Sequence, residues 1–188
     1  MTITFGESDV NRTGHVSKQI EDLKRQLAAK ENSLSLVVFS GELDKMLAAF
    51  TIATGAAACG MKVSMFLTFW ATAAMKKSGP QAAGKGFVER LFGWMLPGGF
   101  TKQKLSKLDM FGIGRRMMFR EMARKNVANL EQLVETADEL GVEFYVCESS
   151  MSLMGIQCEE LVALSNVKCC GVATFLQRSA LSNTTLFI

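Results

Sequence analysis

Cys147 is the residue whose position most favours chemistry in this chain. It ends the β-type run 142–147, and the polar residues that follow open a predicted short helix at 149–154. A cysteine at the carboxyl end of a strand can face the amino end of the next helix, where open α/β sheets bind ligands. The helix dipole and free amides there favour the thiolate. We therefore expect a reactive thiol at Cys147, with a buried strand-end cysteine as the alternative.

Three further residues near Cys147 are candidates for the same chemistry. Ser149 and Ser150 could donate hydrogen bonds to a thiolate, or could act as helix caps. Cys158 lies eleven residues after Cys147, near the start of another predicted short helix at 158–164. It is a candidate second thiol and the expected resolving partner if a disulfide forms.

The remaining cysteines predict packing rather than metal binding. Cys59 falls late in an apolar helix, and Cys169 and Cys170 would send their side chains to opposite faces of a strand. The five cysteines include no Cys-x-x-Cys pair, and His15 is the sole histidine. A disulfide framework and a zinc site are therefore not expected, and we predict no metal and no cofactor.

The pattern along the chain predicts an α/β fold. Apolar runs alternate with amphipathic helices, and short turns join them into a βαβ unit that requires parallel strands. The fold class is thus an open three-layer sandwich with a mostly parallel sheet of about five strands and one long insertion. The chain has 188 residues, enough for one well-cored domain. The predicted strands are 34–39, 62–69, 142–147 and 167–173, and the clearest predicted helices are 16–30, 45–59, 115–124 and 129–140.

Three segments organise the chain. Residues 1–33 form a polar leader and helix, residues 34–188 form a single α/β domain, and the insertion spans about 76–125. Residues 1–32 lack the apolar centre of a secretory signal, and no run reaches the roughly 18 apolar residues of a spanning helix. We therefore expect a cytoplasmic protein, with membrane association through the insertion as an alternative.

The insertion carries most of the positive charge. Residues 76–125 hold twelve Lys and Arg against three acids, a net charge of +9, whereas the rest of the chain has a net charge of −6. Together with Phe87, Trp94 and Phe111, this charge could recognise an acidic partner, an anionic ligand or a membrane surface. A solvated insertion, a lid or a subunit interface are the alternatives. The order of basic and aromatic residues matches no RNA-binding motif, so nucleic-acid binding is not expected.

Several segments, in order along the chain, resemble the DsrE/DsrF-like family of small sulfur-relay proteins. The likeness is to its stand-alone DsrE-like branch, often labelled peroxiredoxin-like, and it spans roughly 34–176. No single segment is diagnostic, so their order carries the resemblance. The matching segments are 39–45, 61–70, 96–100, 104–109, 147–155 and 171–176.

The resemblance implies a function as well as a fold. Family members carry sulfane sulfur as a cysteine persulfide, taken from a rhodanese-like donor and passed to a TusA-like acceptor. They also form homo-oligomers, trimers or larger. By motif position Cys147 is the carrier. The expected persulfide pocket consists of Ser40, Gly41, Ser149, Ser150 and Gly155.

Two other functions remain as alternatives. The chain could be a non-catalytic α/β oligomer that binds an acidic partner or anionic ligand through its basic insertion. It could also be a thiol peroxidase, although it has neither a Thr-x-x-Cys nor a Cys-x-x-Cys motif. The turn at Ser40 lacks the glycines of a P-loop or a dinucleotide-binding turn, so nucleotide binding is not expected.

Overall fold

The computed structural model describes residues 15–22, 24, 31–79, 85–96 and 98–188, in two compact units, 1–31 and 32–188. In the first unit, residues 15–22 are helical, as the sequence predicts. The remainder of the predicted helix 16–30 lies outside the described residues, apart from the helical position 24.

Within the described residues, five strands form one sheet in the order β4-β3-β2-β1-β5. The pairs β1–β2, β2–β3 and β3–β4 are parallel. Ile188 donates its amide to Val37 and accepts from the Phe39 amide, the pattern of a parallel pair at the β1–β5 edge. The strands are β1 (Glu31–Val38), β2 (Lys62–Leu67), β3 (Glu143–Cys147), β4 (Val167–Cys170) and β5 (Ser182–Phe187).

The helices connect these strands and cover the sheet. Asn129 and Gln132 form a reciprocal capping box, which fixes the start of the helix Leu130–Glu139. Short 3₁₀ turns occur at Phe100–Lys102, Met110–Gly112 and Cys158–Glu160. The helices are α1 (Leu43–Ala58), α2 (Trp70–Ala74), α3 (Phe87–Met95), α4 (Ile113–Arg124), α5 (Leu130–Glu139), α6 (Glu148–Met154) and α7 (Val172–Leu181).

The main core lies between the sheet and the helices α1 and α5, which pack against each other. Leu36 of β1, Phe50 of α1 and Phe144 of β3 are fully buried there. The central strands are apolar on both faces because helices cover both sides of a parallel sheet. The predicted α/β class with a five-stranded parallel sheet is therefore confirmed.

The connections after β3 and β4 leave the sheet in opposite directions. Met151 of α6 and Leu161 of the following segment join the main core. The connection from β4 to β5 runs back across the sheet, so a right-handed crossover places α7 on the other face. There Phe175 stacks on Phe66, with ring centroids 4.9 Å apart. Divergence of this kind marks the carboxyl ends of β3 and β4 as the position where open α/β sheets bind ligands.

Two sequence predictions at the end of the chain were wrong. The predicted helix 158–164 is only a 3₁₀ turn, because Leu161 bridges to Lys76 in extended form and the Val162 amide bonds to Met75. The predicted strand 167–173 ends at Cys170, since extended Gly171 caps α7.

The last eight residues, in which the sequence showed no element, supply edge strand β5. Its side chains after Ser182 are exposed, so no apolar alternation marks it. The sequence therefore carried too weak a pattern to reveal a strand at this edge.

The basic insertion packs against the sheet domain through only some of its charges. Lys76 is buried and donates to the Gly93 carbonyl, and Lys85 forms a buried ion pair with Glu160. Arg116 and Arg120 on α4 are exposed. Among the described residues, no helix is long and apolar enough to cross a membrane. The basic residues of the insertion are thus divided between the interior and the surface of the structure.

Candidate functional site

Cys147 occupies the end of β3 and is also the residue that precedes the first turn of α6. Side chains alternate along a strand, so Phe144 and Val146 face the main core while Tyr145 and Cys147 face the opposite side. We call the group formed by Phe66, Tyr145, Cys147 and Phe175 the thiol-side cluster. The Cys147 side chain is only 7% exposed, so it lies just beneath the surface.

Polar residues from two turns surround the thiol, and we call Thr68, Ser149 and Ser150 the thiol shell. The Thr68 and Ser150 hydroxyl oxygens lie 3.1 Å apart, although Thr68 follows β2 and Ser150 lies in α6. The Phe69 amide donates to the Ser150 hydroxyl oxygen over 2.9 Å. Because that oxygen accepts from Phe69, the Ser150 hydrogen can point toward Thr68 or toward Cys147.

The thiol shell changes the acidity of Cys147. Burial by itself raises the pKa of the thiol, but polar contacts from the Ser150 hydroxyl and amide, the Thr68 hydroxyl and the Ser149 amide outweigh burial, and the pKa lies below its ordinary value. No capping hydrogen bond of ordinary geometry joins the Cys147 side chain to the described residues of α6. The stabilisation is therefore shared among several weak donors. A larger fraction of Cys147 is thiolate near neutral pH than for an ordinary cysteine.

The turn after β2 holds Thr68 in place under backbone strain. Phe69 has a φ of 47° and a ψ of −119°, a conformation rare for a residue with a side chain. Gly41, in the turn after β1, lies so close that an added Cβ would overlap the Trp70 carbonyl oxygen. Only glycine permits this approach of the two turns. Strain of this kind concentrates at functional sites because the surrounding structure must maintain it.

The structure brings only part of the predicted pocket next to the thiol. Ser149 and Ser150 meet Cys147, as described above. Ser40 follows β1, and its hydroxyl donates to Glu42 over 3.0 Å. Gly155 lies at the opposite end of α6, where its left-handed conformation ends the helix. The places of Ser40 and Gly155 thus indicate turn-forming roles, and their membership of a persulfide pocket stays a prediction.

Cys158, the predicted second thiol, lies in disulfide contact with Cys169. Cys169 packs against the main core, on the other side of the sheet from the thiol-side cluster. The predicted packing of Cys59 was wrong, because α1 ends at Ala58 and Cys59 follows it as an exposed free thiol. The structure therefore groups Cys158 with Cys169 rather than with Cys147.

Sequence reasoning missed two residues at this site, Thr68 and Cys170. Cys170 is the register partner of Cys147 across β3 and β4, and it packs against the thiol-side cluster. Burial raises its pKa, and the charges of Glu148 and Cys147 raise it further. Thr68 directly follows β2, and Cys170 is the last residue of β4. Because parallel strands end at one edge of the sheet, a search of the carboxyl ends of the strands next to β3 could have found both residues.

A cluster of ion pairs links α7 to the face of the sheet that carries the thiol-side cluster. Glu143 of β3 pairs with Lys168 of β4 over 2.9 Å and with Arg178 of α7 over 2.8 Å. Burial raises the pKa of Glu143, but the hydrogen bond from Lys168 and the charge of Arg178 outweigh it, so the pKa is lowered. Both cations also lie over the Tyr145 ring. These contacts help to hold Phe175 against Phe66, beside the two cysteines.

A cleft of about 730 Å³ opens elsewhere, between α4 and α5. Phe119, Met122, Val127 and Leu130 are among its lining residues, and none of the lining residues belongs to the thiol shell. The thiol shell is therefore separate from this cleft.

Comparisons with known proteins identify the family of this chain. The chain belongs to the DsrE/DsrF/DrsH-like family, whose model matches residues 30–187. The resemblance predicted from the sequence is thus confirmed.

Two curated proteins match over most of their length. Uncharacterized protein YrkE of Bacillus subtilis is 41% identical over 154 residues, which are 82% of this chain and 95% of YrkE. Sulfur carrier protein DsrE2 of Allochromatium vinosum is 26% identical over 171 residues, 85% of this chain and 99% of DsrE2. Among solved structures, the YchN protein of E. coli matches with a TM-score of 0.49 and 13% identity, covering 83% of this chain and 99% of YchN.

Proposed function

We propose that this protein is a sulfur carrier that holds sulfane sulfur as a persulfide on Cys147. Family membership and similarity to Sulfur carrier protein DsrE2 support a role in sulfur relay. The observation that carries the assignment to Cys147 is its position at the end of β3 within the thiol shell, which lowers the pKa of the thiol. The donor would be rhodanese-like and the acceptor TusA-like.

The proposed transfer needs two nucleophilic substitutions at sulfur. The Cys147 thiolate attacks the outer sulfur of a donor persulfide, the donor's S–S bond breaks, and the donor leaves as a thiolate. An acceptor thiolate then attacks the outer sulfur on Cys147, and the Cys147 thiolate is regenerated. The sulfane sulfur keeps its oxidation state throughout. No electron donor, metal or cofactor enters either step.

The thiol shell suits both states of such a carrier. A negative charge resides on Sγ of Cys147 before loading and on the outer sulfur afterwards, so donors within reach of both atoms are needed. The Thr68 and Ser150 hydroxyls can rotate to follow the charge, whereas the backbone amide of Ser149 is fixed. The low exposure of Cys147 would also limit its reaction with oxidants in solution.

Exposed aromatic side chains at the same edge support docking of a partner. Phe39 contacts Phe69 and Phe187, with ring centroids 5.3 Å and 6.3 Å apart, and all three are exposed. Such a patch is typical of interaction surfaces. The same patch would serve a homo-oligomer, trimer or larger, in a cytoplasmic protein. Exposed cations of the insertion would steer an acidic acceptor toward this edge.

Loading with sulfur tests the proposal directly. Reduced protein is incubated with polysulfide, or with thiosulfate and a rhodanese, and is weighed by intact mass spectrometry. We expect a gain of one sulfur atom per chain that is absent in Cys147→Ser and present in Cys59→Ser, a control that removes an exposed free thiol. A gain that survives Cys147→Ser would move the chemistry to another cysteine.

A second candidate function is favoured by the surface of the insertion. Phe87, Trp94 and Phe111 are strongly exposed, and Arg116 and Arg120 are exposed on the nearby α4. A binding module that recognises an acidic partner or anionic ligand would use these residues and would be indifferent to Cys147→Ser. Binding unaffected by that substitution, in a protein that takes up no sulfur, would favour this function over sulfur transfer.

A further inference from the structure

We infer that Cys170 is the resolving thiol of Cys147 and that the two form a disulfide when a loaded carrier finds no acceptor. The sulfur is then released as hydrosulfide. This inference rests on the proposed function, because it requires a persulfide on Cys147. It assigns to the protein a second activity, the reductive release of sulfane sulfur.

Register places the two cysteines side by side. Cys147 and Cys170 are Cα partners in the parallel pair β3–β4. Neighbouring strands lie about 4.8 Å apart, which falls within the roughly 4.4–6.8 Å between the Cα atoms of disulfide-bonded cysteines. Their side chains are also on the same face, since both belong to or pack against the thiol-side cluster.

The other cysteines are excluded by the sheet itself. Cys169 precedes Cys170 in β4, so its side chain faces the main core, where it contacts Cys158. Cys59 follows α1, and α1 covers the main-core face. Among the cysteines, all of which are described, Cys170 is therefore the one that shares the face of Cys147 and its strand end.

Local structure allows the two thiols to approach each other. Each is the last residue of its strand, and Gly171 follows Cys170 before α7 begins. The connections beyond them diverge to opposite faces, so no helix crosses directly between the two strand ends. Cys170 is partly exposed, whereas Cys147 is nearly buried. Cys147 and Cys170 are the last register pair of β3 and β4, so small rotations there can bring the sulfurs together while the pairs before them stay in place.

The step balances without any external oxidant. The Cys170 sulfur attacks the inner sulfur of the persulfide, which is Sγ of Cys147, and the bond to the outer sulfur breaks. The outer sulfur leaves with the bonding electrons and takes the proton of Cys170 as hydrosulfide. The sulfane sulfur is reduced, while the two cysteine sulfurs are oxidised to a disulfide. A dithiol reductant returns both cysteines to the starting state.

The two thiols differ in acidity, in the direction that loading of sulfur on Cys147 and slower attack by Cys170 require. Polar contacts favour the thiolate at Cys147, whereas burial and neighbouring negative charge raise the pKa of Cys170 and keep it protonated. Cys147 would therefore collect the sulfur, and Cys170 would react slowly. A docked acceptor would take the sulfur first, and release would occur only after a delay.

The test follows bound sulfur over time without an acceptor. Reduced wild type, Cys170→Ser, Cys170→Ala and Cys59→Ser are loaded with polysulfide, freed of excess reagent, and monitored by intact mass and by sulfide assay. Since a Cys158–Cys169 disulfide can form in all four proteins, we expect wild type and Cys59→Ser to release one sulfide per chain more than the Cys170 variants and to form one disulfide more, which removes two hydrogens. Both Cys170 variants should keep the sulfur at least about tenfold longer. Peptide mapping of the wild type should show a Cys147–Cys170 linkage.

The outcomes separate this inference from the proposed function. If Cys147 loads but the Cys170 variants release sulfide at the wild-type rate, the resolving role is overturned and the carrier stands. A peptide map of the wild type that shows a disulfide from Cys147 to Cys158 or Cys169 would also overturn the resolving role of Cys170. This measurement requires no substituted protein. If Cys147 gains no sulfur in any variant, both proposals fail.

Discussion

Phe144 and Cys147 belong to one five-residue strand, yet they face environments that differ in almost every respect. Phe144 is fully buried in the main core, against residues of α1 such as Phe50. Cys147 belongs to a cluster of four buried residues among those described, and of its three neighbours there Phe175 alone comes from a helix. The main core provides most of the buried apolar area, and hence most of the stability. The thiol-side cluster is small, so its side of the sheet, the thin face, leaves the Cys147 thiol just beneath the surface.

The sharpest test of this contrast is Cys147→Ser. We expect loss of sulfur loading to the background, because a serine hydroxyl is not a nucleophile toward sulfane sulfur under these conditions. Stability should change by less than about 1 kcal/mol, as the substitution is nearly isosteric and the site already provides polar partners. Mass spectrometry and urea denaturation measure the two effects. A large loss of stability would mean that the thiol contributes to packing.

Phe144→Ala should show the reverse behaviour. Truncation of this side chain leaves a cavity in the main core and should cost about 3–5 kcal/mol of unfolding free energy. The folded fraction should still alkylate at Cys147 with the wild-type pH profile. Phe175→Ala is the matched substitution on the thin face, and we expect it to alter Cys147 reactivity at a smaller cost in stability. Equal losses from the two substitutions would remove the distinction between the faces.

Gly41→Ala tests whether the turns at the carboxyl edge act as one unit. The added methyl group would overlap the Trp70 carbonyl oxygen, so the turn after β2 must move. We expect destabilisation of about 1–3 kcal/mol together with slower alkylation of Cys147, since Thr68 lies in that turn. Gly55→Ala is the control, because an added Cβ there meets no neighbour and alanine favours a helix. Unchanged thiol reactivity in Gly41→Ala would separate this turn from the site.

Ser150→Ala should raise the pKa of Cys147, because burial remains while the strongest hydroxyl contact is lost. Alkylation should therefore need a higher pH to reach its plateau, and the rate below the wild-type pKa should fall. Thr68→Val should shift the profile in the same direction by less. Ser152→Ala, at an exposed position of α6, is the control and should leave the profile unchanged. A Ser150→Ala profile that moves to lower pH would contradict this account of the thiol shell.

Glu143→Gln should have the smallest effect, a loss of about 1 kcal/mol or less, because its ion pairs are partly exposed. The folded-state pKa of Glu143 is lowered. Its contribution is therefore complete above the unfolded-state pKa and is lost as the pH falls through the folded-state pKa. Wild type and variant should differ in stability at neutral pH and converge in acid. A difference that persists or grows in acid would rule out this linkage.

The sequence was a sufficient guide to the elements with strong patterns. Strand β1 was predicted from an apolar run and helix α1 from an Ala-rich segment. The structure places both elements within a few residues of the predicted bounds. Helix α5 has a clear apolar stripe and a capping box, both of which are local signals. Edge strand β5 was missed because pairing with β1, rather than its own pattern, creates it.

The same division applies to the candidate site. The sequence pointed to Cys147 and to the two serines that follow it, because these residues are neighbours in the chain. It named Cys158 as the resolving partner if a disulfide forms, since Cys158 falls near the start of the next predicted helix, and it left Cys170 as a packing residue. Strand register instead gives Cys147 the neighbour Cys170. Register depends on contacts between distant segments, which no local pattern contains.

The sequence by itself determined the class of fold, the family and the one cysteine that ends a central strand. Periodicity and turn residues are encoded over a few neighbouring positions, so they can be seen without a structure. Only the tertiary structure decided which turns meet that cysteine, which thiol lies beside it and which face of the sheet it occupies. Thr68, Cys170 and Phe175 come from segments distant in the chain, and packing of the parallel sheet brings them to one edge.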